Sequence, residues 1–132
     1  MTDCVGMHVI VDAVGCNVKK LDNLEGLVNT VREAIVLSNA TELGINSYKF
    51  QPQGVTVVAM LAESHISLHT YPQLGTVNID MFTCNPKNCN PEAGVAHILQ
   101  YLEGTLTENW NLVRGKGWQS KHEVENKQEC DS

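Results

Sequence analysis

No basic cluster longer than the pair Lys19 and Lys20 occurs in this 132-residue chain, whose formal net charge is −6. Nucleic-acid binding requires a basic face that neutralises phosphates, so that class is not expected. Apolar runs approaching the roughly 18 residues of a membrane helix are also missing. The opening "MTDCVGMHVIVDAVG" has neither the basic leader nor the long apolar stretch of a signal peptide. A cytoplasmic protein without membrane contact is therefore the expectation. The five cysteines (Cys4, Cys16, Cys84, Cys89, Cys130) form no CxxC pair and are odd in number, which favours reduced thiols over a disulfide framework. Neither HExxH nor GxSxG is present, so the usual zinc-protease and serine-hydrolase signatures are absent.

What the chain does have is a hydrophobic fraction of 42% with 18% charged residues, the composition of a globular protein. Its length suits one domain with its own core. From Val5 to Val14 the residues read as a strand, broken by Gly15. Asp22 and Glu25 are spaced as a capping box, and Leu24, Leu27, Val28, Val31 and Ile35 then recur at helical intervals. That helix is expected to fade near Asn39, with Gly44 in the turn that follows. Short β-like segments come next: "INSYKF", "VTVVAMLA", "HISLHTY" and "TVNIDMFT", separated by the turn-prone "QPQG" and "PQLG". In "HISLHTY", Ile66 and Leu68 point one way while His65, Ser67 and His69 point the other. A second helix starts at "NPEAG", with Asn90 as N-cap and Pro91 at the first helical position, and carries Val95, Ile98, Leu99 and Leu102 on one face. "NWNLV" reads as a last strand. The fold class is thus α+β, a two-layer sandwich of a largely antiparallel sheet with two helices on one face. Residues 1–118 form the single domain, and 119–132 read as a loose polar tail.

The chemistry concentrates in "LAESHISLHTYP", Leu61 to Pro72, which holds Glu63, Ser64, His65, His69 and Tyr71. A metal reading would recruit His65, His69, Cys84 and Cys89. On one strand, however, His65 and His69 stand about 13 Å apart, too far to share an ion, and no metal is expected. A hydrolase reading fails because "AESHI" has no glycine to form a nucleophile elbow. For an isolated Ser and His on a half-exposed strand, an ordinary polar surface is the default.

"ESHISLHTYP", followed by "IDMFTC", outweighs that default: it resembles the signature of the prokaryotic S-adenosylmethionine decarboxylases, self-cleaving pyruvoyl enzymes. "FQPQGVTVVAMLAESH", "GMHVIVDAVGC" and "LDNLEGL" are similar to other parts of the same family, so the resemblance runs from about Gly6 to the end of the second helix. It implies that Ser64 attacks the carbonyl of Glu63, with His69 assisting proton transfer. β-Elimination then separates the chain between Glu63 and Ser64 and leaves a pyruvoyl group derived from Ser64. Only a residue with a β-leaving group can do this. The group would form a Schiff base with the substrate amine and accept electrons as carbon dioxide departs, much as pyridoxal phosphate does elsewhere. Cys84 matches the family's general acid, Phe50 its adenine-stacking aromatic, and Thr56 stands where the family has a processing serine. The product would feed spermidine and other polyamine synthesis, and processed αβ protomers would pair as homodimers.

Two substrate positions depart from the family pattern. Tyr71 and Gln73 occupy the places of its Trp and its ribose-binding Glu. The loss of charge at Gln73 weakens a ribose contact, since charge-assisted hydrogen bonds are roughly twice as strong as neutral ones. S-adenosylmethionine, a small cation, nevertheless stays the first expectation, because Phe50 and most of the motif survive and one Glu-to-Gln change is a modest departure. The same chemistry on arginine or ornithine, or an unprocessed regulatory partner, are the alternatives.

Overall fold

The computed structural model describes residues 6–84 and 88–115. The expected tail, residues 119–132, lies outside them. Six antiparallel strands form one sheet in the order β2-β3-β4-β5-β1-β6. They are β1 (Gly6–Val14), β2 (Thr41–Lys49), β3 (Val55–Ala62), β4 (Ser64–Tyr71), β5 (Thr76–Cys84) and β6 (Thr105–Arg114). Three helices, α1 (Val18–Leu21), α2 (Leu24–Leu37) and α3 (Pro91–Leu102), complete the chain. No described helix is long and apolar enough to cross a membrane.

Alternation along the interior strands β1, β4 and β5 sorts residues between two faces. Val9 and Val11 of β1, Ile66 and Leu68 of β4, and Ile79 and Met81 of β5 are buried under α2 and α3. The helices contribute Leu27, Val31 and Ile35 from α2 and Ile98 and Leu102 from α3, the stripes read from the sequence. Gly94 lets the two helices approach: a Cβ there would stand 2.8 Å from the Ala34 carbonyl oxygen. The opposite sheet face has no helix over it among the described residues, and it carries His8, His65, Ser67, His69, Asp80 and Phe82.

Two local expectations are corrected. Asp22 does not cap α2. Asn23 does, accepting from the Gly26 amide at 3.1 Å, because the one-turn α1 ends at Asp22 and leaves Asn23 as the entry residue. The Asp22 carboxylate instead accepts from the Gly54 amide at 2.8 Å and pairs with Lys49 at 3.0 Å. Gly44 is not in a turn but inside β2, where the register with β3 shifts between Glu42 and Gly44. Asn39, with φ of 60°, makes the exit from α2. At α3 the expected cap holds, with Asn90 accepting from Ala93 and Pro91 at the helix start.

Leu68 lies at the centre of this packing and is fully buried. Leu68→Ala is expected to cost about 2–5 kcal/mol through lost burial and the cavity left behind, measured by urea denaturation of the Ser64→Ala background to keep the chain whole.

Candidate active site

The hairpin joining β3 to β4 places Ser64 at the first position of β4, paired with Leu61 on one side and Thr83 on the other. Ser64 has φ of 148°, a region that L-residues rarely occupy and that costs of order 1–3 kcal/mol. The strained residue is one bond from the amide expected to break. Its Oγ is buried and has no hydrogen-bond partner, so no competing bond holds the would-be nucleophile. Glu63 precedes Ser64, and Cys84 ends β5 one residue beyond Thr83, half-buried opposite Gly6 of β1. Cys89 lies close enough to Glu63 that burial first, and the Glu63 charge second, push its thiol pKa up.

A second group of expected residues assembles at the far end of β4. Phe50, Thr56, His69, Tyr71 and Gln73 line one cleft of about 390 Å³. His69 Nδ1 and Thr56 Oγ1 are hydrogen-bonded at 3.0 Å, across the β3–β4 pair. Phe50 is 45% exposed and packs edge-on to Tyr48 with centroids 4.8 Å apart. It is therefore an available aromatic face, not a core residue. Its turn is tied down by Asp22 through Gly54, and Phe50 N–H donates to the Gly54 carbonyl at 2.8 Å. These bonds, Gly54 first and then Lys49, hold the Asp22 carboxyl below the usual range.

The two groups do not meet within one chain. Five residues of extended strand separate Ser64 from His69, about 17 Å at the usual rise. They also differ in facing: Ser64 shares the helix-side alternation of Ile66 and Leu68, whereas His69 lies on the open face.

Between them, on that open face, is a network not expected from the sequence. Asp80 Oδ2 accepts from His8 Nε2 at 3.0 Å and from His65 Nε2 at 2.9 Å, while Ser67 donates to Oδ1. Arg114 donates to His8 Nδ1 at 3.2 Å and lies over the Phe82 ring at 4.5 Å. Burial works against ionisation of Asp80, but the bonds from Ser67, His8 and His65 prevail and hold its carboxyl below the usual range. The ligand atoms of His8, His65 and Asp80 lie within 4.8 Å of one another, a spacing that could hold a metal ion. The Arg114 bond opposes this. It requires a bare Nδ1 on His8 and so puts the imidazole proton on Nε2, the atom a metal would need. Beside the network, a cleft of about 210 Å³ is lined by His8, Asp12, His69, Asn78 and Asp80. Period-two alternation in "NIDMF" could have put Asp80 on the His65 face, but pairing His8 with it required the strand order.

Comparison with known proteins identifies the family. A family model described as S-adenosylmethionine decarboxylase matches residues 7–115. The chain belongs to the S-adenosylmethionine decarboxylase family. It is 39% identical over 111 residues to an S-adenosylmethionine decarboxylase proenzyme of Methanococcus maripaludis, covering 84% of this chain and 90% of that protein. A proenzyme of the same name from Oceanobacillus iheyensis is 34% identical over 115 residues, covering 87% and 90%. The crystal structure of adenosylmethionine decarboxylase from Aquifex aeolicus superposes with a TM-score of 0.72 at 29% identity, covering 85% of this chain and 90% of that one. The expected α+β sandwich is thus the family's fold. Arginine, ornithine and the regulatory-partner role find no support among these relatives.

The Asp80 network has a defined pH signature. A depressed folded-state pKa contributes stability that is fully present above the unfolded value, about 3.9 for Asp, and lost as pH falls through the folded value. The wild-type chain should therefore lose more stability on acidification across that window than Asp80→Asn, as read by thermal melting over a pH series. Parallel curves for the two proteins would show that the network carries no such linkage.

Proposed function

We propose that this protein is made as an inactive proenzyme, cleaves itself between Glu63 and Ser64, and then decarboxylates S-adenosylmethionine. The observation that carries the reading is Ser64 itself: a buried hydroxyl without a partner, on a strained residue, directly after the carbonyl it would attack. The pyruvoyl group that Ser64 would become supplies an electron sink for loss of carbon dioxide. The chain's own residues do the rest. The Phe50 ring offers a stacking surface for the adenine, and Gln73 offers an amide to the ribose hydroxyls in the same cleft. Tyr71 borders that cleft. The Cys84 thiol, at the Ser64 end of the sheet, returns a proton to the substrate α-carbon in this reading.

The separation of the two groups of residues favours an assembly of two chains. In it, the sheet end that carries Ser64 and Cys84 in one protomer lies against the cleft of Phe50, Thr56, His69 and Gln73 in its partner. His69, held by Thr56 through Nδ1, then presents Nε2 to the partner's processing site as the proton carrier. A monomer leaves His69 about 17 Å from the serine it serves.

Intact-mass analysis under denaturing conditions tests the first claim. Two chains meeting at Glu63, the second lighter by one ammonia than hydrolysis predicts, are expected, with a single chain for Ser64→Ala. The cleaved protein should turn over S-adenosylmethionine, and turnover of arginine or ornithine instead would overturn the substrate assignment. Co-expression tests the shared site. Ser64→Ala and His69→Ala chains should each stay intact alone, whereas together the His69→Ala chain should be cleaved. Failure of that rescue would confine the site to one chain.

A further inference from the structure

Four polar residues are buried in the described core: Thr30, Ser38, Thr70 and Thr83. Three have partners. Thr30 donates to the Gly26 carbonyl at 2.7 Å, Ser38 reaches Met81 Sδ at 3.6 Å, and Thr70 donates to the Leu21 carbonyl at 2.7 Å while accepting from the Val55 amide at 2.9 Å. Thr83 has none, although it is only 2% exposed. A dry hydroxyl without a partner is costly to keep and calls for an explanation. Val would fill the same space without that cost.

The position of Thr83 supplies the explanation. It is the cross-strand partner of Ser64, and paired residues of an antiparallel ladder project to the same face with Cβ atoms about 4.5–5.5 Å apart. The other buried hydroxyl lacking a partner is that of Ser64. Two neighbouring hydroxyls, both cut off from water, are thus held without bonding to each other or to anything else. Both remain available for a group that appears only during reaction.

We infer that Thr83 is a catalytic residue of self-processing, donating its hydroxyl hydrogen to the oxyanion that forms when Ser64 attacks Glu63. This rests on the self-cleavage proposed above. In that step the Ser64 Oγ–Glu63 carbon bond forms, and the carbonyl π pair moves onto the Glu63 oxygen. Collapse then breaks the bond from that carbon to the Ser64 nitrogen. The proton released by Oγ ends on this nitrogen, so an amide becomes an ester with no atom gained or lost. The transient negative charge arises on the residue just before Ser64, the cross-strand partner of Thr83, beside two hydroxyls that are themselves buried. A neutral donor already stripped of water needs no reorganisation to stabilise it there, which is the circumstance in which such a donor is most effective. The amide oxygen of the resting chain carries less charge than the oxyanion, so the contact favours the transition state over the ground state.

The test follows cleavage of the full chain after a pulse of cell-free synthesis, for the wild type, Thr83→Val and Thr83→Ser. Thr83→Val should convert about a hundredfold more slowly, the scale for loss of one oxyanion donor, and Thr83→Ser should stay within several-fold of wild type. Hydroxylamine, which cleaves esters, should not restore the Thr83→Val rate, because too little ester forms. Cleavage of Thr83→Val at the wild-type rate overturns the inference. Restoration by hydroxylamine does so too, since it places the defect after ester formation. In the uncleavable Ser64→Ala background, Thr83→Val should melt at the same temperature or higher, having shed an unpaired polar group. A markedly lower melting temperature would reduce Thr83 to a packing role and also overturn it. A wild-type chain that stays intact overturns the self-cleavage reading itself, and Thr83's role with it. A wild type that cleaves alongside an equally fast Thr83→Val overturns the Thr83 role alone.

Discussion

The two-residue alternation of β4, locked between β3 and β5, is the constraint on which the rest of this molecule depends. One face of the strand supplies Ile66 and Leu68 to the core under the helices. The other supplies His65, Ser67 and His69 to the open side, where Asp80 and Thr56 receive them. A slip of one residue would exchange the two sets. Apolar burial therefore does more than hold the sheet together. By fixing register, it fixes which hydroxyl faces which strand and which imidazole meets which carboxylate.

The same constraint divides the functional residues into two groups. One belongs to the β3–β4 hairpin end: Glu63, Ser64, Thr83 and Cys84. The other belongs to the opposite end and is organised by a turn that Asp22 holds against Lys49 and Gly54. The chemistry expected of them is also divided, since bond making and proton return belong to the first group, and nucleoside recognition together with the proton transfer by His69 to the second. The carboxylate of Asp80, bonded by His8, His65 and Ser67, lies on the open face between them and joins β1, β4 and β5 through side chains as well as through the backbone.

Much of this could be read from the chain because the signals were local and periodic. The stripes of α2 and α3, the Asn90–Pro91 start and the β3 boundaries follow from spacing alone. The motif around Ser64 is enough to indicate the family, and the relatives bear out that resemblance. The misreadings also have physical causes. Asp22 is an adequate cap by type, but a one-turn helix ahead of it shifted the cap to Asn23 and released Asp22 to a partner 32 residues away. Gly44 looked like a turn because the residue type does not distinguish a turn from a strand irregularity. Thr83 escaped notice for a different reason: a threonine in a β-rich run is the expected residue there. Only the absence of its hydrogen bond, in a core where Thr30, Ser38 and Thr70 are all satisfied, sets it apart.

The distance from Ser64 to His69 is set by covalent rise along a single strand, with no hinge between them. β4 therefore acts as a ruler. Removing one residue from it would invert the facing of everything beyond the cut. Removing two would restore the facing but draw the two groups together by about 6.6 Å. A change of length inside β4 would therefore move the two groups relative to each other. The interior of β4 can vary in residue type, within what its two faces allow, but not in number.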